Sequence, residues 1–246
     1  APAKAAQFNL DGYVFNGQAQ LIGVVDSIMY PGTQAFMRFD YPSRLSNSVQ
    51  ARALDIAARF LKAVGFDHGL FNMEFFYDAA SDRLTVIEFN PRLASQLADL
   101  YRRVEGLDLY AMALNLAYGH DPATAPRLAP SAGAASSFVF RHFDPLTAAN
   151  MPTPAQIGEF QKHFPDNLLL RFPKDIKSLA RDYKWLGSHR YGVMHLGGRD
   201  ALDLEQRCRA ASAQLGWPAP YAEQSVTNSH EVPCYFAQQS ISGVTP

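Results

Sequence analysis

Two glutamates sit inside apolar runs that read as β-strands, and this most restricts what the chain can become. The runs are Phe71-Asn72-Met73-Glu74-Phe75-Phe76-Tyr77 and Leu84-Thr85-Val86-Ile87-Glu88-Phe89-Asn90-Pro91-Arg92, on either side of the turn Asp78-Ala79-Ala80-Ser81-Asp82-Arg83. Successive strand side chains point to opposite faces. Glu74 and Phe76 therefore share one face of the first strand, and Glu88 and Asn90 share one face of the second. If the hairpin pairs Glu74 with Glu88, Asp78 faces Leu84 across a five-residue loop and the polar groups converge. A slip of two residues keeps them on one face, whereas a slip of one does not.

Like charges opposed across a ladder are destabilising. At a separation of about 5 Å and an effective dielectric near 20, the repulsion is on the order of 3 kcal/mol. No Lys lies nearby, and Arg92 stands two residues beyond Asn90. Magnesium suits such a pair, because it takes hard oxygen ligands from one or two carboxylates together with substrate phosphates. Asn90 adds a neutral oxygen, and Arg92 offers a planar fork for a carboxylate or phosphate. Spacing alone leaves the plainer reading equally open: a solvated Glu74 on an open sheet face and an ordinary strand end at Glu88-Phe89-Asn90.

The rest of the chain reads as α+β. Phe8–Val14 alternates, and Asn16-Gly17 turns it into Ala19–Ile28 as a hairpin. A third strand is expected at Met37–Tyr41, closed by Pro42. A helix follows, capped by Ser46 or Asn47, with Val49, Ala53, Ile56, Ala57, Phe60 and Val64 at helical spacing, and Gly65 stops it. Leu107–Tyr118 is expected to be another helix. The Pro- and Ala-rich stretch 120–133 reads as a linker. Strands are expected at Ser136–Phe143, Leu168–Phe172 and Tyr191–Leu196, a helix at Leu202–Leu215, and an extended segment from Trp217 onward. The expected division is 1–125, then a small β-rich C-terminal domain at 134–217, then a tail at 218–246.

Glu-x-Asn-x-Arg ending a strand, with another Glu one strand earlier in an Asn-x-Glu-Phe-Phe setting, resembles the metal-binding signature of ATP-grasp enzymes. The resemblance covers roughly Phe8–Gly119, including the Asp-Gly-Tyr-Val hairpin, Tyr41-Pro42-Ser43, the helix into Gly65-Phe66, and Leu93-Ala94-Ser95-Gln96. It is nearest to carboxylate–amine ligases of the biotin-carboxylase-like and amino-acid-ligase-like branches. It implies the C-terminal lobe of an ATP-grasp domain followed by the small β-rich domain. Glu74 and Glu88 would bridge Mg2+ (or Mn2+) to ATP phosphates, with Asn90 completing the second ion's shell. Arg92 would hold the substrate carboxylate and the acyl phosphate made from it, as the catalytic residue. Phe76 matches a position that packs on adenine, though a plain core role suits it as well. The implied activity is C–N ligation of a small-molecule carboxylate and an amine. The alternative is a non-catalytic binding module that needs a partner lobe.

The family's phosphate-binding lysines and Gly-rich lid come from a preceding lobe. Here only Lys4 precedes the first hairpin, and Lys62 sits on a helix. A missing N-terminal lobe, in cis or in trans, is therefore expected, and the segment alone is expected not to ligate. A net charge of −1 without basic runs argues against nucleic acid or an anionic membrane as partner. Two cysteines, Cys208 and Cys234, are too few for a disulfide framework, and a cytoplasmic location is expected. No apolar run is long enough to span a bilayer. A homo-oligomer remains open.

Weaker features are a zinc site from His189, His195 and Cys208, whose spacing fits no ligand pattern, and Gly197-Gly198 before a helix, which reads first as a turn and only second as an anion site. Ser95 serves as a helix cap or, with Gln96, faces substrate. Arg38 could reach substrate from its strand.

Overall fold

The computed structural model describes residues 5–144, 149–173, 183 and 187–221. Asn16 and Gly17 take the positive φ values of 50° and 73° that a tight hairpin turn needs, and they join β1 (Ala6–Phe15) to β2 (Gln18–Met29). Strand β3 (Phe36–Tyr41) pairs antiparallel with β2. Helix α1 (Asn47–Ala63) is capped by the Ser46 hydroxyl, which accepts from the Val49 amide. Next come β4 (Gly69–Asp78) and β5 (Arg83–Asn90), then α2 (Ser95–Glu105) and α3 (Leu109–Ala117). The remaining elements are β6 (Ala134–His142), α4 (Pro154–His163), β7 (Leu168–Arg171), β8 (His189–Gly198) and α5 (Ala201–Leu215).

All strands join one eight-stranded sheet in the order β5-β4-β1-β2-β3-β6-β8-β7, and every pairing is antiparallel. The strands expected for a small β-rich domain at 134–217 belong to this same sheet. Strand β6 pairs with β3 from Arg38↔Phe138 to Tyr41↔Ala135, so the later strands extend the first sheet. The 120–133 linker carries the chain from α3 to that pairing, with a 3-10 turn at Pro122–Thr124 and a bridge from Leu107 to Arg127.

Alternation gives the sheet two faces. On one, Phe8, Leu10, Phe71, Met73 and Phe75 pack against Ala53, Ala57 and Leu61 of α1. Leu61, rather than Phe60 or Val64, anchors the end of that helix; Phe60 instead meets Phe89 edge-on at 5.1 Å. Farther along the same face, Phe138, Phe140, Met194 and Leu196 pack against α4 and α5 through Phe160, Leu204, Cys208 and Ala211. Helix α4 is absent from the sequence-based expectations, although Thr153-Pro154-Ala155-Gln156 forms a complete capping box. On the other face, α2 and α3 cover Tyr13, Val25, Phe39, Tyr41, Ala135 and Val139 through Leu97, Leu100, Tyr101 and Met112.

The expected tail begins as packed structure. Trp217 is buried against Phe140 and Tyr191, and Tyr221 lies under the Arg38 guanidinium at 4.3 Å. Residues 222–246 lie outside the described residues. Cys208 is a buried free thiol in the α5 core, and Cys234 also falls outside.

Helix α2 comes close to the sheet because Gly23 leaves room. A Cβ there would stand 2.5 Å from Cε1 of Tyr101 and 2.9 Å from Cε2 of Tyr41. Those two rings already meet edge-to-face at 4.8 Å and cannot both retreat. Gly23→Ala is expected to lower stability by about 1–3 kcal/mol, the usual cost of overpacking a filled core. Urea unfolding of the variant checks this, and an unchanged midpoint would show that α2 is not seated on Gly23.

Candidate active site

The β4–β5 hairpin pairs Glu74 directly with Glu88, but by a route that alternation alone does not give. The turn is tighter than expected: Asp78 faces Arg83 and Tyr77 faces Leu84, leaving four residues between the strands. Continued without interruption, that register would set Glu74 opposite Ile87 and send Glu88 to the other face. Instead the register shifts between Glu74 and Phe75: Phe75 faces Val86, Glu74 faces Glu88, and Ile87 is the extra residue. This β-bulge brings Glu88 and Asn90 onto the face of Glu74 and Asn72. The turn is secured from outside by Arg52 of α1, whose Nη1 lies 2.7 Å from Asp82 Oδ1.

Strand β1 continues the polar row. Asn9 lies opposite Glu74, Asp11 opposite Asn72, and Gln7 opposite Phe76. Gln7 Nε2 donates to Glu74 Oε2 at 2.9 Å. Asn72 Nδ2 donates to Asn9 Oδ1 and Asp11 Oδ1, both at 3.0 Å, and Asn9 Nδ2 donates to Ser27 Oγ at 2.8 Å. Tyr101 of α2 donates its hydroxyl to Asp11 Oδ2 at 2.6 Å. Asn90 Nδ2 donates to Glu88 Oε1 at 2.8 Å and to Asn72 Oδ1 at 3.4 Å, and Arg92 Nη2 donates to Asn90 Oδ1 at 3.3 Å. The sequence reading missed Gln7, Asn9, Asp11, Asn72 and Tyr101. A signal existed: Gln7, Asn9 and Asp11 recur at period two, as Asn72 and Glu74 do.

The charges in this row are unbalanced. Burial raises the Glu74 pKa, and Glu88 raises it further, by charge and by hydrogen-bonding the protonated form. Burial also pushes Asp11 up to about 6, against the opposing hydrogen bonds from Tyr101 and Asn72. The positive charge of Arg92, whose Nη2 reaches Asn90 Oδ1 on the same face, acts in the other direction on both. Two carboxylates and one amide oxygen, open to solvent at Glu88, fit a hard divalent cation. Among the described residues no group of three or more His, Cys, Asp or Glu could enclose a metal. An ion at this pair would thus draw its remaining ligands from water or substrate.

Phe76 lies beyond Glu74 and lines a cleft of about 960 Å³ with Gln7, Ser27, Ile28, Met29 and Phe36. The cleft therefore adjoins the carboxylate pair, with Gln7 touching both. Arg38 is not part of the site. It points to the opposite face, where it binds Asp40 at 3.0 Å and the Pro220 carbonyl at 3.1 Å. Ser95 does not cap α2, whose N-cap is Ala94 without a side-chain bond. Gln96 donates to Ser137 Oγ at 3.0 Å. His195 is buried with Nδ1 3.2 Å from Asp99, whereas Cys208 packs on the other face, so no zinc cluster forms among the described residues. Burial opposes the Asp99 charge, but the His195 and Arg103 hydrogen bonds bring its pKa down to about 2. Gly197 and Gly198 lie within β8; a Cβ on Gly198 would stand 2.6 Å from the Leu204 backbone, so Gly198 serves close packing of α5, whereas one on Gly197 would stand 2.7 Å from Ala132 Cβ.

Residues 32–124 match the family described as carbamoyl-phosphate synthase L chain, ATP binding domain. Over 90 residues the chain is 40% identical to carnosine synthase 1 of Gallus gallus, covering 36% of this chain and 10% of that protein. The fold is shared with an L-amino acid ligase from Bacillus licheniformis, at TM-score 0.63 and 11% identity over 85% of this chain and 52% of that one. It is also shared with N5-carboxyaminoimidazole ribonucleotide synthetase from Thermus thermophilus, at TM-score 0.57 and 17% identity over 87% of this chain and 51% of that one. Residues 32–124 are thus similar to an ATP-grasp ATP-binding domain of the carbamoyl-phosphate synthase L chain type. The chain spans about half the length of those solved relatives and a tenth of carnosine synthase.

The carboxylate pair makes its own prediction. The raised Glu74 pKa means the folded state holds that proton more tightly than the unfolded state, so stability falls as pH rises through the carboxylate range. Glu88→Gln removes the opposing charge. In EDTA at pH 7.5 it is expected to stabilise the protein by about 0.5 kcal/mol, and the gain should vanish near pH 4 as Glu74, whose pKa is raised, takes up its proton. Denaturant unfolding at the two pH values measures it. A gain independent of pH, or a loss at pH 7.5, would contradict the opposed-charge geometry.

Proposed function

We propose that this chain supplies the metal-binding and acyl-phosphate half of an ATP-dependent carboxylate–amine ligase. The observation that carries the reading is the Glu74–Glu88 pair, brought to one face by the Ile87 bulge beside Asn90 and Arg92. Glu74, Glu88 and Asn90 hold Mg2+, or Mn2+ in its place, and the ion supplies charge neutralisation for the phosphates of ATP. Phe76 and its cleft take the adenine end, one strand step from the carboxylates. Arg92 binds the substrate carboxylate in its fork and stabilises the acyl phosphate that an amine then captures with loss of phosphate. Catalysis rests on positioning and electrostatics, because phosphoryl transfer leaves the protein little covalent work.

The donors for the far side of the triphosphate come, in this reading, from a further lobe in cis or in trans. What supports it is that Lys62, exposed on α1, is on the wrong face for the hairpin, and that this chain covers 51% and 52% of two solved relatives. A cytoplasmic setting suits the ATP dependence.

The test is ADP release that depends on Mg2+, a carboxylate and an amine, measured on the protein with its full complement of lobes. Arg92→Lys keeps the charge but loses the bidentate fork, and kcat is expected to fall about a hundredfold. Residues 1–246 alone should give no heat of Mg·ATP binding at micromolar concentration. Wild-type turnover by Arg92→Lys would remove the acyl-phosphate role. Micromolar binding by the isolated segment would remove the need for a second lobe. Absence of turnover with nucleotide binding intact would favour a non-catalytic binding module.

A further inference from the structure

Asp11 lies on β1, two links away from the proposed metal ligands, and is 2% exposed. It accepts hydrogen bonds from the Tyr101 hydroxyl at 2.6 Å and from Asn72 Nδ2 at 3.0 Å. An ionised carboxylate can only accept, so whatever faces it must donate. Asn72 therefore turns its amide nitrogen towards Asp11 and Asn9 and its oxygen away, towards the β5 side. That oxygen accepts from Asn90 Nδ2 at 3.4 Å, and the same nitrogen donates to Glu88 Oε1 at 2.8 Å. With its nitrogen so engaged, Asn90 leaves Oδ1 on the open side, where it meets only Arg92 Nη2, at 3.3 Å, among the described residues.

From this chain we propose that Asp11 is a positioning residue that fixes the amide orientation of Asn72, and through it that of Asn90, so that an oxygen rather than a nitrogen faces the cation. The inference rests on the metal-site reading above. Its distinctive content is the direction of the hydrogen bonds. An asparagine at position 11 has one acceptor where the carboxylate has two. With that oxygen kept on the Tyr101 hydroxyl, its NH2 stands against the Asn72 amide nitrogen, and only by rotating the hydroxyl to accept can Tyr101 release the oxygen to Asn72. While the hydroxyl goes on donating, relief comes when Asn72 flips, which withdraws its oxygen from Asn90 and presents an NH2 in its place. Tyr101, by contrast, is one of the two donors. Tyr101→Phe leaves Asp11 an acceptor for Asn72 and so leaves the orientation intact.

The experiment is Mn2+ binding to the full protein, followed at pH 8 by the electron paramagnetic signal of free Mn2+, without nucleotide. Thermal melts accompany each variant. Asp11→Asn is expected to weaken Mn2+ about tenfold or more, the usual effect of losing an outer-shell partner, while Tyr101→Phe lowers the melting temperature but keeps the Mn2+ affinity within about twofold. Glu88→Gln is the control for the underlying reading: if it binds Mn2+ as the parent does, the metal site itself is wrong. If Glu88→Gln loses the ion and Asp11→Asn does not, only the positioning role is overturned. Equal losses in Asp11→Asn and Tyr101→Phe would also overturn it, because the effect would then be general loosening of α2. Should Asp11→Asn fail to fold, Asn72→Ser cuts the same chain at its middle link, since serine is too short to reach both Asp11 and Asn90. A folded Asn72→Ser with parental Mn2+ affinity would refute the proposal.

Discussion

The arrangement of this site depends on one unfavourable contact, two glutamates opposed across an antiparallel ladder. Such a pair is destabilising in isolation. The fold does not avoid it; a β-bulge at Ile87 creates it, because the turn register alone would send Glu88 to the other face. Bulges recur beside functional sites because they re-aim side chains, and here the re-aimed groups are Glu88, Asn90 and Arg92. The surrounding structure holds the hairpin in that state: α1 packs beneath Phe71, Met73 and Phe75, and Arg52 ties down the turn at Asp82.

The same face carries a buried polar row from Ser27 through Asn9, Asn72 and Asp11 to Tyr101. Burial of hydrogen-bonding groups is tolerable only when each finds a partner, and every link in this row does. The row joins the hairpin to α2, which Gly23 allows to sit close to the sheet. Packing of the helix and orientation of the site are thereby coupled through Tyr101 and Asp11.

Much of this is legible in the sequence, for identifiable reasons. Asn16-Gly17, Ser46 and Gly65 act locally, so the first hairpin and α1 come out close to their observed bounds. The facing of Glu74 and Glu88 is legible only as one of the registers that the two strands allow, and the turn behind it is not: that register implies a five-residue loop, where a four-residue turn and a bulge are found. The pairing of β6 with β3 has no local signature, and the Pro-rich stretch before it suggests a boundary where the sheet continues. Arg38 shows the limit of placing a residue by strand alone, since its direction follows from register with β6 and contact with Tyr221. Asp11 and Asn72 escape a reading of the sequence because their importance lies in contacts across strands.

The central claim is that the Ile87 bulge builds a divalent-cation site from Glu74, Glu88 and Asn90. Anomalous diffraction from crystals of the protein grown with Mn2+ and a non-hydrolysable ATP analogue tests it most directly. The account predicts an anomalous peak between the two carboxylates, with oxygen contacts of about 2.1–2.2 Å, Asn90 Oδ1 among them, and phosphate oxygens completing the shell. Ordered nucleotide with no peak at Glu74 and Glu88, or a peak held by other residues, would contradict it.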